Sequence, residues 1–338
     1  MNRKLQNRCN KNIVLKSKVS LIRNLDDKIY SSFLDNMDAI EIAREIKNKI
    51  LNLEKYKFKV FKIREESRET SGQFLERGLI NEHLFNNKES GEFLYDDLSG
   101  VAVMLNEGNH ITIVKTTIGL SLSENYKMVK DLDDYLDNEF EFAFDEKLGY
   151  LTMDKNDLGT AMKIYLVLHI PILSYKGEVE DLKLNLKNID VGLSSVFGEG
   201  NGAFYEISNI KSLGDTEEEI IGCLEAVANE IILKEKRFRD ELMNNDAFIN
   251  AVEDEVFRAY GVLTNARIIT FEEAIDLLSK LRLGIEFYLI DSIKLATVDK
   301  LIEDIQYYNL KVMSKNNKNE EEEKILRAKI IRERLIGW

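Results

Sequence analysis

The sequence predicts an α+β fold, a mixed strand-and-helix part followed by a helical one. Three observations carry that prediction. Val101 and Val103, then Ile111 and Ile113, alternate within 98–119 and read as two antiparallel strands joined by the turn-forming Asn106-Glu107-Gly108-Asn109. Thr216 and Glu219 form a capping box ahead of the apolar stripe Ile220, Leu224, Val227 and Ile231, so 216–238 is a helix. Beyond about residue 240 strand signals stop and helical spacing takes over.

In chain order, 31–53 is read as a helix, with Ser32 and Asp35 as a capping box and Ile42, Ile46, Ile50 and Leu53 as its apolar stripe. Phe58, Val60 and Lys62 alternate as in a strand. After the 98–119 hairpin, Tyr126, Val129, Leu132 and Leu136 place a helix at 123–139, and a strand falls within 161–170 before the single proline, Pro171. Past residue 240, the segments 246–260, 271–283 and 285–307 are helical in pattern. The polar run 314–323 reads as an exposed loop ahead of a last helix carrying Leu326, Ile330 and Leu335.

Composition narrows the function. With 338 residues, 44% of them hydrophobic, the chain can build one large core or two smaller ones. The net charge of −13 opposes a phosphate backbone, so nucleic acid is not an expected partner. Lys57, Lys59, Lys62 and Arg64 read as a solvated strand face. Cys9 and Cys223 are too few for a disulfide framework, and together with His83, His110 and His169 too dispersed for a metal site. No apolar run approaches a membrane span, and the N-terminus lacks a signal-peptide pattern, so a cytoplasmic location with no membrane contact is expected.

Five segments then resemble one family. Leu105-Asn106-Glu107-Gly108-Asn109-His110-Ile111-Thr112-Ile113 is similar to the strand turn Asn-Glu-Glu-Asp-His-x-Arg-Ile of the phosphagen kinases. Gly149-Tyr150-Leu151-Thr152 with Leu158-Gly159-Thr160 resembles their Gly-Tyr-Leu-Thr and Gly-Thr segment, and Phe197-Gly198-Glu199-Gly200 with Ile207-Ser208-Asn209 resembles their Tyr-Gly-Glu-Gly and Ile-Ser-Asn elements. Phe257-Arg258-Ala259-Tyr260-Gly261 and Leu281-Arg282-Leu283-Gly284-Ile285 resemble the helical domain of the bacterial protein arginine kinase (McsB-type) branch. The resemblance implies an antiparallel sheet flanked by helices at 1–242 and an all-helical domain at 243–338.

Phosphoryl transfer needs positive charge on the phosphate oxygens, best from bidentate arginines, and an acid to take the guanidinium proton. The family's five nucleotide arginines correspond here to Lys18, Ser20, Thr112, Lys163 and Ser194, and a following arginine to Arg23, open between an anion and a structural carboxylate. A lysine is a point charge, not a planar fork. The family's acids correspond to Gly108, Asn109 and Gly202, and its cysteine to Asp154 with Lys155 behind it. Glu107, Glu199 and Glu206 remain near these motifs. The family's phosphoarginine pocket falls on Glu323, Lys324 and Arg327, where an acid replaces the first arginine.

These replacements predict a pseudokinase, not an enzyme. It is expected to carry no metal or cofactor, with weak ATP and magnesium binding left open, and to act as a regulatory or scaffolding protein. The partners the resemblance implies are a zinc-binding (McsA-like) activator, a Clp-type ATPase or a heat-shock repressor, with a homodimer as the assembly and stress response or sporulation as the setting. A divergent active arginine kinase and a weak ATP-binding sensor are the alternatives.

Overall fold

A computed structural model of the chain describes residues 12–242, 244–314 and 319–337. Its strand-and-helix part runs β1 (Val14–Arg23), α1 (Asn36–Leu51), β2 (Lys59–Lys62), α2 (Arg68–Glu76), α3 (Glu82–Asn86), β3 (Glu92–Asp96), β4 (Val101–Leu105), β5 (Ile111–Ile118) and α4 (Leu122–Glu139). There follow β6 (Phe144–Asp145), β7 (Gly149–Tyr150), β8 (Met162–His169), α5 (Pro171–Tyr175), α6 (Val179–Lys187), β9 (Val191–Ser195), β10 (Phe204–Asn209) and α7 (Glu217–Leu242). Eight strands form one antiparallel sheet in the order β2-β3-β4-β5-β1-β8-β10-β9, and β6 and β7 make a separate small ladder. The antiparallel sheet and the flanking helices expected from the sequence are present.

β1 sits at the centre, hydrogen-bonded to β5 on one side and β8 on the other. Its odd-numbered residues from Ser17 to Arg23 turn toward α4, whose Asn125 Nδ2 donates to Ser17 Oγ at 3.3 Å. Lys16, Lys18 and Ser20 therefore lie on the opposite face. On the helix side, Ile46, Leu132, Leu166 and Ile231 belong to one large core that continues into the C-terminal helices. On the other side, over β3 to β5, a smaller core forms from Ile63, Ile80, Leu84, Phe93 and Met104 beneath α2 and α3.

The helical part comprises α8 (Asp246–Asn265), α9 (Phe271–Glu286), α10 (Leu295–Asp304), α11 (Tyr307–Ser314) and α12 (Glu320–Ile336). α9 crosses α8 closely enough that a Cβ on Gly284 would stand 2.3 Å from Val256. The smaller core is closed by α11. Its Tyr308 ring occupies the space where a Gly72 Cβ would be, 2.1 Å away, and Glu76 caps α11 by accepting from the amides of Tyr308 (2.7 Å) and Asn309 (2.9 Å).

Several expectations are corrected. The first helix begins at Asn36, not 31, because Asp35 is itself the N-cap and accepts from Met37 and Asp38; the Ser32 side chain lies outside the described residues. The continuous 285–307 helix is instead α9, a loop and α10. The Gly284 carbonyl accepts from Leu289 and Ile290, Tyr288 takes φ 59°, and the loop buries Ile290 and Ile293. Part of the polar run is helical, since Asn319 and Glu322 form a reciprocal capping box for α12; residues 315–318 lie outside the described residues. The inward face of α12 carries Glu323, Arg327 and Ile331, one position on from the expected Leu326 and Ile330. β1, β3, β9 and β10 were not anticipated.

Filling the gap under Tyr308 should overpack it. Gly72→Ala is expected to cost about 1–3 kcal/mol in urea unfolding. Gly222→Ala, with open space around its Cβ on α7, should be neutral or stabilising by up to about 1 kcal/mol.

Candidate functional site: a cleft over the central strands

The face of the sheet opposite α4 opens between the end of α2 and helices α9 to α11 into a cleft of about 910 Å³. Strand register sets its floor. Lys18 pairs with Thr116 on β5 and Tyr165 on β8, Ser20 with Lys163, and Glu206 of β10 with Val167 and Ser194. Because side chains alternate across a strand, Lys18, Ser20, Thr112, Lys163 and Ser194 all fall on this one face. The structure thus brings together the five positions that the sequence placed at a nucleotide.

Most of these side chains are already engaged. Ser20 Oγ donates to the Lys163 carbonyl at 3.0 Å, Lys163 Nζ pairs with Asp157 at 2.8 Å, and Thr112 Oγ1 donates to Glu107 at 2.8 Å. Lys18 alone of the five projects a cation into the cavity, its Nζ 5.1 Å from the Tyr165 ring centre. Burial pulls the Lys18 ammonium below its ordinary pKa, against the attraction of Glu206 and Glu107. Burial likewise raises Glu206, and pushes Tyr165 up to about 12. At the five positions a triphosphate would meet one unengaged ammonium and no arginine fork; Arg77 and Arg282 also border the cleft, Arg282 being held by Glu286 and Asp299. The residues at these five positions do not fit the clamp that the resemblance implies.

Arg23 lies an odd number of residues from Lys18 and Ser20 and so faces the helices. Its Nη2 donates to Asp133 Oδ2 at 2.9 Å and its Nε lies 2.9 Å from Oδ1, with both side chains almost wholly buried. The Tyr150 ring covers the guanidinium at 3.6 Å. Between the two roles left open, Arg23 takes the structural carboxylate.

The turn after β4 is knitted by hydrogen bonds. Glu107 accepts from Asn81 (2.7 Å), Asn109 (3.1 Å) and Thr112, while Asn109 Oδ1 accepts from Asn24 (2.8 Å) and Met153 N (3.0 Å). Gly108 has φ 130°, and its carbonyl accepts from Ser31 at 2.9 Å. His110 accepts from Leu25 N through Nδ1, leaving Nε2 to donate to the Ile29 carbonyl. Gly202 has φ 71°, and a Cβ there would lie 3.2 Å from Ile275, so a larger residue would be strained. Glu199 is exposed, 3.8 Å from Lys183. Asp154 caps a short turn by accepting from Asn156, well outside the cleft lining.

The C-terminal triplet is not an open pocket. Glu323 pairs with Lys311 at 3.3 Å, and Lys324 with Glu320 and Glu321 at 2.9 Å. Arg327 donates to the carbonyls of Ile269 (3.1 Å) and Ile305 (3.3 Å). Of the four residues read as a solvated face, Lys59 pairs with Asp97, Lys62 with Glu65, and Arg64 lies 3.9 Å from Glu65.

Arg282, absent from the sequence-based list, borders the cleft and anchors a buried polar chain. Its Nε donates to Asp299 at 2.9 Å and its Nη1 to Glu286 and to His169 Nδ1 (3.0 Å). Since arginine only donates, His169 carries its proton on Nε2, which donates to Ser279 Oγ at 2.9 Å. Glu286 also accepts from Arg239 (2.5 Å), which pairs with Glu235 at 2.9 Å, and Glu235 accepts from the amides of Ile172 and Leu173 on α5. Burial, with Arg282 and Arg239 nearby, holds His169 well below its ordinary pKa. Among the described residues no cluster of His, Cys, Asp and Glu could hold a metal ion, and no helix is long and apolar enough to cross a membrane.

Most of the sheet beneath this cleft and the helical bundle beyond it fall in two separately recognisable parts of the chain. Residues 41–238 match the profile of the ATP:guanido phosphotransferase C-terminal catalytic domain, and residues 249–337 that of the protein-arginine kinase McsB C-terminal domain. The duplicated taurocyamine kinase of Schistosoma mansoni superposes with a TM-score of 0.61 at 20% identity, over 68% of this chain and 34% of that one. Lombricine kinase superposes with a TM-score of 0.58 at 17% identity, over 68% of each chain. The protein-arginine kinase of Clostridium novyi (strain NT) is 33% identical over 98% of this chain and 97% of its own, and that of Clostridium perfringens (strain 13) 34% identical over 96% of both. The chain belongs to the protein-arginine kinase family.

That membership corrects one expectation. The chain was expected not to be an enzyme, whereas its full-length relatives are protein-arginine kinases and both profiles are those of kinase domains. Replaced side chains in a cleft describe altered chemistry there; they do not remove the chain from an enzyme family.

Two outcomes follow from the buried charges. Asp133→Asn should cost about 3–5 kcal/mol in chemical denaturation, because Arg23 would be left buried without its counter-charge. His169 stays neutral in the fold but takes up a proton in the unfolded chain below its ordinary pKa of 6.5. Stability should therefore fall as pH drops below that value, by up to about 1.4 kcal/mol per pH unit from this residue. Melting curves from pH 7.5 to 5.5 should show a shallower acid limb in His169→Asn.

Proposed function

We propose that this member of the protein-arginine kinase family acts as a regulatory or scaffolding protein, through contact with protein partners. The observation that supports the reading is the state of the cleft. Ser20, Thr112 and Lys163 are hydrogen-bonded within the protein, and Arg23 is buried in a structural ion pair. The shape of the fold is held separately, by the Glu235–Arg239–Glu286–Arg282 chain. Candidate partners are a zinc-binding activator, a Clp-type ATPase or a heat-shock repressor, and the proposed assembly is a homodimer. A second reading, ATP-dependent phosphorylation of protein arginine as the relatives' names state, is favoured by the open cleft with Lys18 and Glu206 on its floor.

One experiment separates them. The purified chain is incubated with radiolabelled ATP, magnesium and an arginine-rich acceptor, and in parallel used to capture partners from the native cytosol. Stoichiometric capture of a specific protein, retained in Lys18→Gln, is the expected result. Acid-labile label on arginine that disappears in Lys163→Gln or Glu107→Gln would instead establish the second reading.

A further inference from the structure

Away from the cleft, a cavity of about 270 Å³ opens between the first turn of α2, the segment after β2, and the end of α3. Its wall carries Arg64, Arg68 and Lys88, an unusual gathering of cations on so acidic a chain. Among the described residues neither Arg68 nor Lys88 has a carboxylate within ion-pair distance. The Arg68 guanidinium lies over the Phe85 ring at 4.5 Å, which holds its fork in a fixed plane. Ser71, only 2% exposed, lines the same cavity, and its Oγ has no hydrogen-bond partner. A buried hydroxyl without a partner costs free energy unless something fills the gap.

We infer that this cavity binds a phosphate-sized oxyanion, carried as free phosphate or as a phosphate monoester. The donors match that ligand in number and kind. Arg68 offers two parallel N–H groups and Lys88 a point charge, and Ser71 adds a hydroxyl. The amide of Arg68, which lines the cavity, opens α2 ahead of its first intrahelical bond, at the positive end of the helix. A carboxylate has too few oxygens to use them all. Glu66 and Glu89 line the same cavity and disfavour the higher charge of a polyphosphate. The site is separate from the cleft floor and does not rest on either reading of the cleft.

The test follows the thermal midpoint of the full chain in sodium phosphate against sodium chloride at matched ionic strength, then repeats it with phosphoserine. A saturable rise in phosphate is expected, weakened about tenfold in apparent affinity in Arg68→Gln/Lys88→Gln and unchanged in Lys18→Gln. Both altered cations are exposed, so the double variant should melt as the parent does in chloride; Lys88→Glu gives the same readout through a single exposed change. Ser71→Ala should weaken the effect several-fold. Tighter binding of phosphoserine than of phosphate would assign the monoester, and equal binding the free ion. A rise that does not saturate, that persists in the double variant, or that vanishes in Lys18→Gln would overturn the assignment.

Discussion

The structure depends on a chain of buried charges that crosses from the sheet to the helical bundle. Glu235 and Arg239 on α7, Glu286 and Arg282 on α9, and His169 at the end of β8 form one connected set, closed by Asp299 and Ser279. Each of these charges would be expensive to bury alone, and each is neutralised by the next. A sheet and a bundle joined only by apolar contacts would tolerate sliding. A chain of donors and acceptors with fixed directions does not, so the bundle meets the sheet in one orientation and the cleft between them has a defined shape.

How far the fold could be read depended on how each segment meets water. α7 and α4 face the sheet with one side and solvent with the other, so their stripes and caps stand out in the sequence. The β4–β5 hairpin was legible because its turn residues interrupt two β-branched runs. β1 was not, although it is the centre of the sheet. One face carries Lys16, Lys18 and Ser20 along the cleft, while the other carries Ser17 and Arg23 among its apolar residues. Neither a continuous apolar run nor a clean alternation remains. The 285–307 segment failed for the opposite reason: Ile290 and Ile293 have helical spacing, yet they are buried by a loop that folds back on α9.

The candidate site was partly legible through family likeness, and its geometry came from strand parity. Positions scattered over β1, β5, β8 and β9 share one face because register brings them there. The same parity sends Arg23 to the other side, where Asp133 waits on α4. That step was available from the sequence once β1 was known to be a strand. Arg282 stood in a family-like segment, but its role was not legible, since its partner His169 lies 113 residues away in the chain. The expectation of a chain outside enzymology failed because it weighed side chains alone, while similarity over nearly the full length places the chain among kinases.

The seat of Tyr308 on Gly72 bears on the order of events during synthesis. The buried residues of the smaller core over β3 to β5 all lie between Ile63 and Val114, yet its lid, with the carboxylate of Glu76 that caps α11, closes across 232 residues. Closing so long a loop is slow relative to local folding. As the chain leaves the ribosome, the N-terminal lobe must wait with that apolar surface uncovered until the residues around 308 emerge. Premature termination after β10 but before those residues would leave a complete sheet with an adhesive face, a vulnerable species for chaperones and proteases to find.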